Sequence, residues 1–346
     1  MTALLIPKDQ IEGLLAALLE RYRVVAPVEE DGLVTFGRLG SPEEAVLDYR
    51  NARVSPKGLL FPQAEVLLTY SLTGESPEVQ EAPQVQDGQV VFGIHPCDAR
   101  SFVLLDRVFD GNGWHDGYYL SRRRNTTVVA LACPKPGVAC FCASVGGGPF
   151  STEGLDVLLT DLGQEYLLED VTDKGAVLAE MWSEYGEADE GSLRRREELQ
   201  AGAEAALAGR VEIEGIDRRL KGMWDDVFWE RLHEKCLGCG VCTYLCPTCH
   251  CFDIVDEGSD HEGQRLRLWD SCMFPLFTRQ ASGHNPRPTG KERWRQRLMH
   301  KFCYSVESYG EVGCVGCGRC VVNCPVNLDL RHVLNQLGSD RTQQET

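Results

Sequence analysis

Apolar positions in the first half of the chain follow two different periods. Near the start, Ile11, Leu14, Leu15, Leu18 and Leu19 recur at helical spacing, which predicts an amphipathic helix packed by one face. VVAPVEEDGLVTFG follows, two short strand-like stretches around Asp31-Gly32, a pair suited to a tight hairpin turn. QVVFGIHPCDARSFVLLDRVF reads as a strand up to Ile94, a break at His95-Pro96, and a helix beginning near Cys97 or Asp98. The β-branched run NTTVVALACP is a strand ending at Cys133. Strand, helix and strand in this order predict a βαβ unit with parallel strands and a right-handed crossover. GLDVLLTDLGQEYLLED then predicts a hairpin turning at Gly163.

From about Thr172 to Lys221 the pattern changes. EGSLRRREELQAGAEAALAGR favours helix but carries no strong apolar stripe, as befits an exposed connecting helix. The expected fold class is therefore α+β. A mixed α/β domain spans 1–205, and a mostly helical domain follows at 206–346. A length of 346 residues accommodates such a division. The polar tail after Leu337 is expected to be disordered.

Charge removes some classes of function. Thirty-five basic against 52 acidic residues leave a formal charge of −17, which argues against a nucleic-acid binder. Lys8, Asp9, Glu12 and Glu20 interrupt the apolar residues of the N-terminus, so it does not read as a secretory signal. No apolar stretch has the length of a membrane span, and the expected location is cytoplasmic. Sixteen cysteines are many for that compartment, where tight cysteine spacing signals metal ligands more often than disulfides.

Cys236, Cys239, Cys242 and Cys246-Pro247 form C-x2-C-x2-C-x3-C-P, and Cys314, Cys317, Cys320 and Cys324-Pro325 repeat it without a slip. This is the bacterial iron–sulfur spacing, in which the fourth cysteine of each run serves the other run's cluster. The expected ligand sets for two 4Fe–4S clusters are thus Cys236, Cys239, Cys242 and Cys324, and Cys314, Cys317, Cys320 and Cys246. Gly238, Gly240, Gly316 and Gly318 let the backbone close around them. Paired structural zinc sites are the alternative, disfavoured by the third equally spaced cysteine in each run.

Four more cysteines lie upstream. In the βαβ unit Cys97 follows the first strand and Cys133 the second, which brings both to the sheet edge where α/β folds bind ligands. Cys140 and Cys142 share the loop after Cys133. A third 4Fe–4S cluster on Cys97, Cys133, Cys140 and Cys142 is the functional expectation. The start of the helix would favour the Cys97 thiolate. Inert buried thiols, a zinc site and flavin contacts remain open as alternatives. The glycines at 146–148 fit no dinucleotide fingerprint.

The two runs resemble an α-helical dicluster ferredoxin domain with an insertion at 247–313. That insertion carries WDSCMFPLFTRQASGHNPRPTGKERWRQRLMHKF. With GIHPCDARSFVLLDRVF, CFCASVGGGPF and GLDVLLTDLG upstream, the chain resembles, over about residues 85–335, the iron–sulfur beta subunits of sulfhydrogenases. It is similar also to the corresponding iron–sulfur chains of anaerobic sulfite reductase and of flavin oxidoreductase–heterodisulfide reductase complexes. The resemblance implies an electron wire between a flavoprotein subunit that handles FAD and NAD(P) and a terminal redox subunit. It does not say which terminal partner. Cys249, Cys251 and Cys272 also recur in the family's pattern. Three thiols make no cubane set without a fourth ligand, which His250 or Cys303 would have to supply, so packing beside the clusters is the expectation for them.

The insertion is basic, with Arg265, Arg267, Arg279, Arg287, Lys291, Arg293, Arg295, Arg297 and Lys301 against Glu262, Asp270 and Glu292. A solvated helix face is the default reading; positive charge beside anionic clusters, raising their potential, is the second. His95, His250 and His284 join no recognisable catalytic arrangement. Three classes of function remain: an electron-transfer subunit; a flavin-binding oxidoreductase subunit with its own NAD(P)H- or deazaflavin-linked activity; and a metal-stabilised interaction module.

Overall fold

The computed structural model describes residues 2–339 apart from 75, 112 and 208; residues 340–346 of the polar tail lie outside them. Twelve strands are present among the described residues. They are β1 (Ala3–Pro7), β2 (Arg23–Glu30), β3 (Leu33–Arg38), β4 (Ala64–Ser71), β5 (Glu78–Glu81), β6 (Gln89–Ile94), β7 (Thr126–Leu131), β8 (Val157–Asp161), β9 (Glu165–Asp170), β10 (Gly186–Glu187), β11 (Phe252–Gly258) and β12 (Glu262–Trp269). The helices of the first half are α1 (Ile11–Leu19), α2 (Pro96–Phe109), α3 (Gly117–Arg124), α4 (Asp173–Glu180) and α5 (Glu190–Leu207). Those of the second are α6 (Ile216–Gly222), α7 (Phe228–His233), α8 (Val241–Tyr244), α9 (Gly290–Met299), α10 (Ser305–Tyr309), α11 (Arg319–Val322) and α12 (Leu330–Ser339), with a π-helical turn, His300–Tyr304, joining α9 to α10.

Eight strands form one sheet in the order β10-β1-β9-β8-β7-β6-β2-β3. Its centre, β2-β6-β7-β8, is parallel, and the outer pairings are antiparallel. Parallel strands are covered on both faces, and β6 accordingly buries all six of its residues. Side chains alternate between the faces. Val90, Phe92, Val129 and Leu159 join one core, closed by Leu14, Leu15 and Leu18 of α1. Val91, Ile94, Val128 and Leu158 join the other, closed by Phe102 and Leu105 of α2. Each such side chain contributes about 1.5–3 kcal/mol by leaving water. The predicted hairpins, the βαβ unit and the helix at 11–19 are all present. β1 was not predicted; its alternating burial pairs it with β9.

The second sheet, β11-β12-β4-β5, takes strands from both sides of residue 205. The segment expected to be mostly helical therefore supplies two strands as well. Arg267 on β12 stands opposite Glu65 on β4. Its Nε donates to Glu65 Oε2 at 3.0 Å, and it also pairs with Asp116. Removing one partner of so buried a set leaves an uncompensated charge, which fixes the register of the hairpin against β4. A third core joins α6, α7, α9, the π-turn and α12 around Trp229, Leu298, Phe302 and Leu334, and it reaches Phe141 and Val145 of the first half.

Candidate metal centres

Each cysteine run folds as a loop leading into a one-turn helix. Gly240 and Gly318 take positive φ, 74° and 76°, directly before α8 and α11. Within each loop a glycine amide turns back on the first thiol: Gly238 N donates to Cys236 Sγ at 3.3 Å, and Gly316 N to Cys314 Sγ at 3.4 Å. Leu328 N donates to Cys324 Sγ at 3.2 Å. Such bonds favour a negatively charged sulfur.

The fourth cysteine of each run lies with the other run. Cys236, Cys239, Cys242 and Cys324 line one cavity of about 30 Å³. Cys314, Cys317, Cys320 and Cys246 line a second, of about 10 Å³. Cys320 borders both.

The upstream thiols also converge. Cys97 occupies the first turn of α2, Cys133 follows β7, and Cys140 and Cys142 come from the next loop; the four line a cavity of about 20 Å³ together with Cys317. The 139–142 loop and the second run are in backbone contact. Phe141 N donates to Gly316 O at 2.8 Å. A Cβ on Gly316 would stand 2.6 Å from Cys142 N, and one on Gly318 would stand 2.7 Å from Ala139 O. Both glycines are thus required by close approach as well as by φ.

Beneath this contact lies a buried ion pair that sequence reasoning missed. Arg319 donates to both carboxylate oxygens of Asp98, at 2.6 and 2.7 Å, and its Nε donates to Ala52 O at 2.8 Å. Asp98 and Arg319 are 0% and 2% exposed, so the pair pins α2 to α11. The available signal was an arginine set between two cysteines of a run. His95 is buried there too: it stacks on Tyr49, its Nδ1–H donates to Leu131 O at 3.1 Å, and its Nε2 has no partner.

Burial raises the bare thiols. It pushes Cys97 well above its ordinary value, the Asp98 carboxylate adding to the effect, and takes Cys133 up to about 12, Cys142 to about 11 and Cys317 to about 12. The thiolate expected of Cys97 from its place on the helix is outweighed by this desolvation. Metal loading would therefore displace protons.

The basic insertion divides. Arg265 is an exposed partner of Asp256, and Lys291 pairs with Glu230. Arg297 and Lys301 are buried among the cysteines. Arg297 borders both C-terminal cavities and a further one around Cys249, Cys251 and Cys272, and Lys301 borders two of the three. Burial works against the charge of both, yet the neighbouring cysteines raise them overall. Cys303 is fully buried in the C-terminal core and lines none of these cavities, and His284 is exposed. Among the described residues no three His, Cys, Asp or Glu side chains meet as the ligands of a single ion would; the thiols border cavities instead. No helix among the described residues is long and apolar enough to cross a membrane.

The 4Fe–4S dicluster domain family matches residues 235–328. Sulfhydrogenase 2 subunit beta of Pyrococcus furiosus is 33% identical over 325 residues, 92% of this chain and 93% of the relative. No solved structure matches.

Proposed function

The chain belongs to the family of sulfhydrogenase beta subunits, and from that premise we propose that it is the iron–sulfur electron-transfer subunit of a cytoplasmic multi-subunit oxidoreductase. It would stand between a flavoprotein subunit that handles NAD(P) and a terminal redox subunit. In this reading 1–205 is a mixed α/β unit and 206–346 the dicluster unit. Cys236, Cys239, Cys242 and Cys324 hold one 4Fe–4S cluster, and Cys314, Cys317, Cys320 and Cys246 hold another. Cys97, Cys133, Cys140 and Cys142 hold a third. Each cubane, when bound, supplies reversible uptake of a single electron.

The observation that carries the reading is the exchange of fourth cysteines: Cys324 lies with the first run and Cys246 with the second. Thiols shared between cavities support a relay. Cys320 borders both C-terminal sites, and Cys317 borders the second C-terminal site and the upstream one. Around them the chain points amides at sulfur and keeps Arg297 and Lys301 as buried positive charge, which favours the reduced state.

Cys246→Ser tests the ligand sets. It should alter the spectrum of the cluster held by Cys314, Cys317 and Cys320; damage confined to the Cys236 run would refute them. Iron, sulfide and zinc analysis of anaerobically purified protein tests the class of function. Stoichiometric zinc without a reducible chromophore would leave only a metal-stabilised interaction module.

One observation favours a second reading, in which the chain itself binds flavin. A cavity of about 660 Å³ opens at the carboxyl ends of β6 and β7, beside Cys133 and His95, and Tyr49, Arg50, Lys135 and Arg195 border it. Its size suits a cofactor. Flavin fluorescence in the purified chain, with NAD(P)H oxidation in the absence of partners, would establish this reading, and a flavin-free chain would dismiss it.

A further inference from the structure

The third C-terminal cavity has no role in the relay just described. It measures about 40 Å³, against 30, 10 and 20 Å³ for the other three, and Cys249, Cys251 and Cys272 line it. These cysteines meet because of the β11–β12 hairpin. Phe252 pairs with Trp269 at its base, and Asp270 N donates to Cys251 O at 3.0 Å, which sets Cys251 beside Cys272. Cys251 and Cys272 lie close enough for each thiol to bear on the other's ionisation, as do Cys246 and Cys249.

The cavity's surroundings are cationic. Lys57, Arg297 and Lys301 are 2%, 3% and 7% exposed. Lys57 donates to Cys249 O at 2.9 Å, and Lys301 donates to Thr248 Oγ1 at 2.9 Å and Gly313 O at 2.8 Å. Arg297 Nη1 lies 4.0 Å from Cys249 Sγ, and its Nε has no partner. Among the described residues none of the three cations pairs with a carboxylate. Buried charges require a counter-charge, and thiolate sulfur is what this neighbourhood offers. His250 and His300 also line the cavity, edge to face at 5.3 Å. Thr248 O can only accept, so His250 Nδ1, 3.2 Å away, carries the proton and its Nε2 keeps a lone pair.

We infer that Cys249, Cys251 and Cys272 hold a further iron–sulfur cluster, and that the imidazole of His250 or His300 completes its ligand set. The site adjoins the cluster site that includes Cys246, through the Cys246–Cys249 contact and the shared Arg297 and Lys301. Because that cluster site itself shares Cys320 and Cys317 with the other two, the further site gives the relay a branch. The inference rests on the reading of the chain as an iron–sulfur protein, but its test is separate.

The test uses full-length protein, purified and reconstituted anaerobically, with iron and sulfide measured per chain. Four cubanes require about sixteen irons. A Cys249→Ser, Cys251→Ser, Cys272→Ser variant should lose about four irons and four sulfides and one set of electron paramagnetic resonance signals, leaving the others intact. Of His250→Ala and His300→Ala, one should shift the g values of that same signal. Wild-type protein saturating at about twelve irons or fewer overturns the proposal whether or not the triple variant folds. So do unchanged iron in the triple variant, zinc in place of the lost iron, and a signal that neither histidine variant moves. Wild-type protein that takes up no clusters on the two repeated runs would instead count against the electron-transfer reading itself.

Discussion

Removing either member of the Asp98–Arg319 pair should loosen the contact between α2 and the second cysteine run. Asp98→Ala leaves a guanidinium with almost no exposure and no counter-charge; breaking a buried pair from one side costs about 3–5 kcal/mol. Arg319→Met strands the carboxylate and also removes the donor to Ala52 O. A lost hydrogen bond of that kind adds about 1 kcal/mol, so it should be the worse variant. Replacing both residues removes both charges, and the double variant should fall short of the sum by about 2 kcal/mol or more. The assay is hydrogen exchange by mass spectrometry on loaded, anaerobic protein, following the amides of 96–109 and 314–322. Exchange through local opening scales with the opening equilibrium, so about 3–5 kcal/mol appears as a roughly hundredfold to few-thousandfold acceleration in both segments. The β1–β9 pair, on the opposite flank of the large sheet from β2 and β3, serves as the internal control. Single variants within about threefold of wild type, the range of a neutral surface change, would refute the reasoning. A double variant worse than the two singles combined would refute it equally.

Gly316→Ala and Gly318→Ala should each hinder cluster assembly, because a Cβ meets the 139–142 backbone at 2.6 to 2.7 Å and the positive φ adds about 1–2 kcal/mol; iron content measured beside Gly283→Ala, which has open space at positive φ, separates the clash from the strain. Serine at Cys97, Cys133, Cys140 and Cys142 together should lower iron by about four per chain, and unchanged iron would make these thiols structural. Arg297→Met should shift cluster midpoint potentials downward by tens of millivolts or more, about 59 mV for each tenfold loss of electron affinity, in a redox titration followed by electron paramagnetic resonance. A potential that stays in place would mean that the buried guanidinium is not felt by the clusters.

Much of the molecule follows from short stretches of sequence, because the interactions that form them are short in range. The Asp31-Gly32 turn, the apolar runs of β6 and β7 and the break at His95-Pro96 each place an element within about two residues of where the structure has it. The repeated C-x2-C-x2-C-x3-C-P runs likewise carry their own loop geometry, since glycine and proline at fixed offsets decide how the backbone wraps. The convergence of Cys97 and Cys133 was legible one step further, through the rule that neighbouring parallel strands end at one edge.

Pairings between distant residues were not legible. Nothing local says that Ala64–Ser71 accepts β12 as a neighbour, since any exposed strand edge offers the same row of amides and carbonyls. Sequence spacing likewise could not divide the basic insertion. Arg265 and Arg267 are two residues apart, yet they meet different neighbours: one exposed Asp256, the other buried Glu65 and half-buried Asp116. Arg297 and Lys301 lie one helical turn apart and enter the space among the cysteines only because α9 and the π-turn pack there. The chain by itself determined which thiols come in runs and how each run turns. Tertiary packing decided which runs share a cavity, which cations are buried beside them, and that Cys249, Cys251 and Cys272 meet at all. Packing chooses among many equally hydrophobic contacts, and only the assembled fold shows which of them leave no charge unpaired.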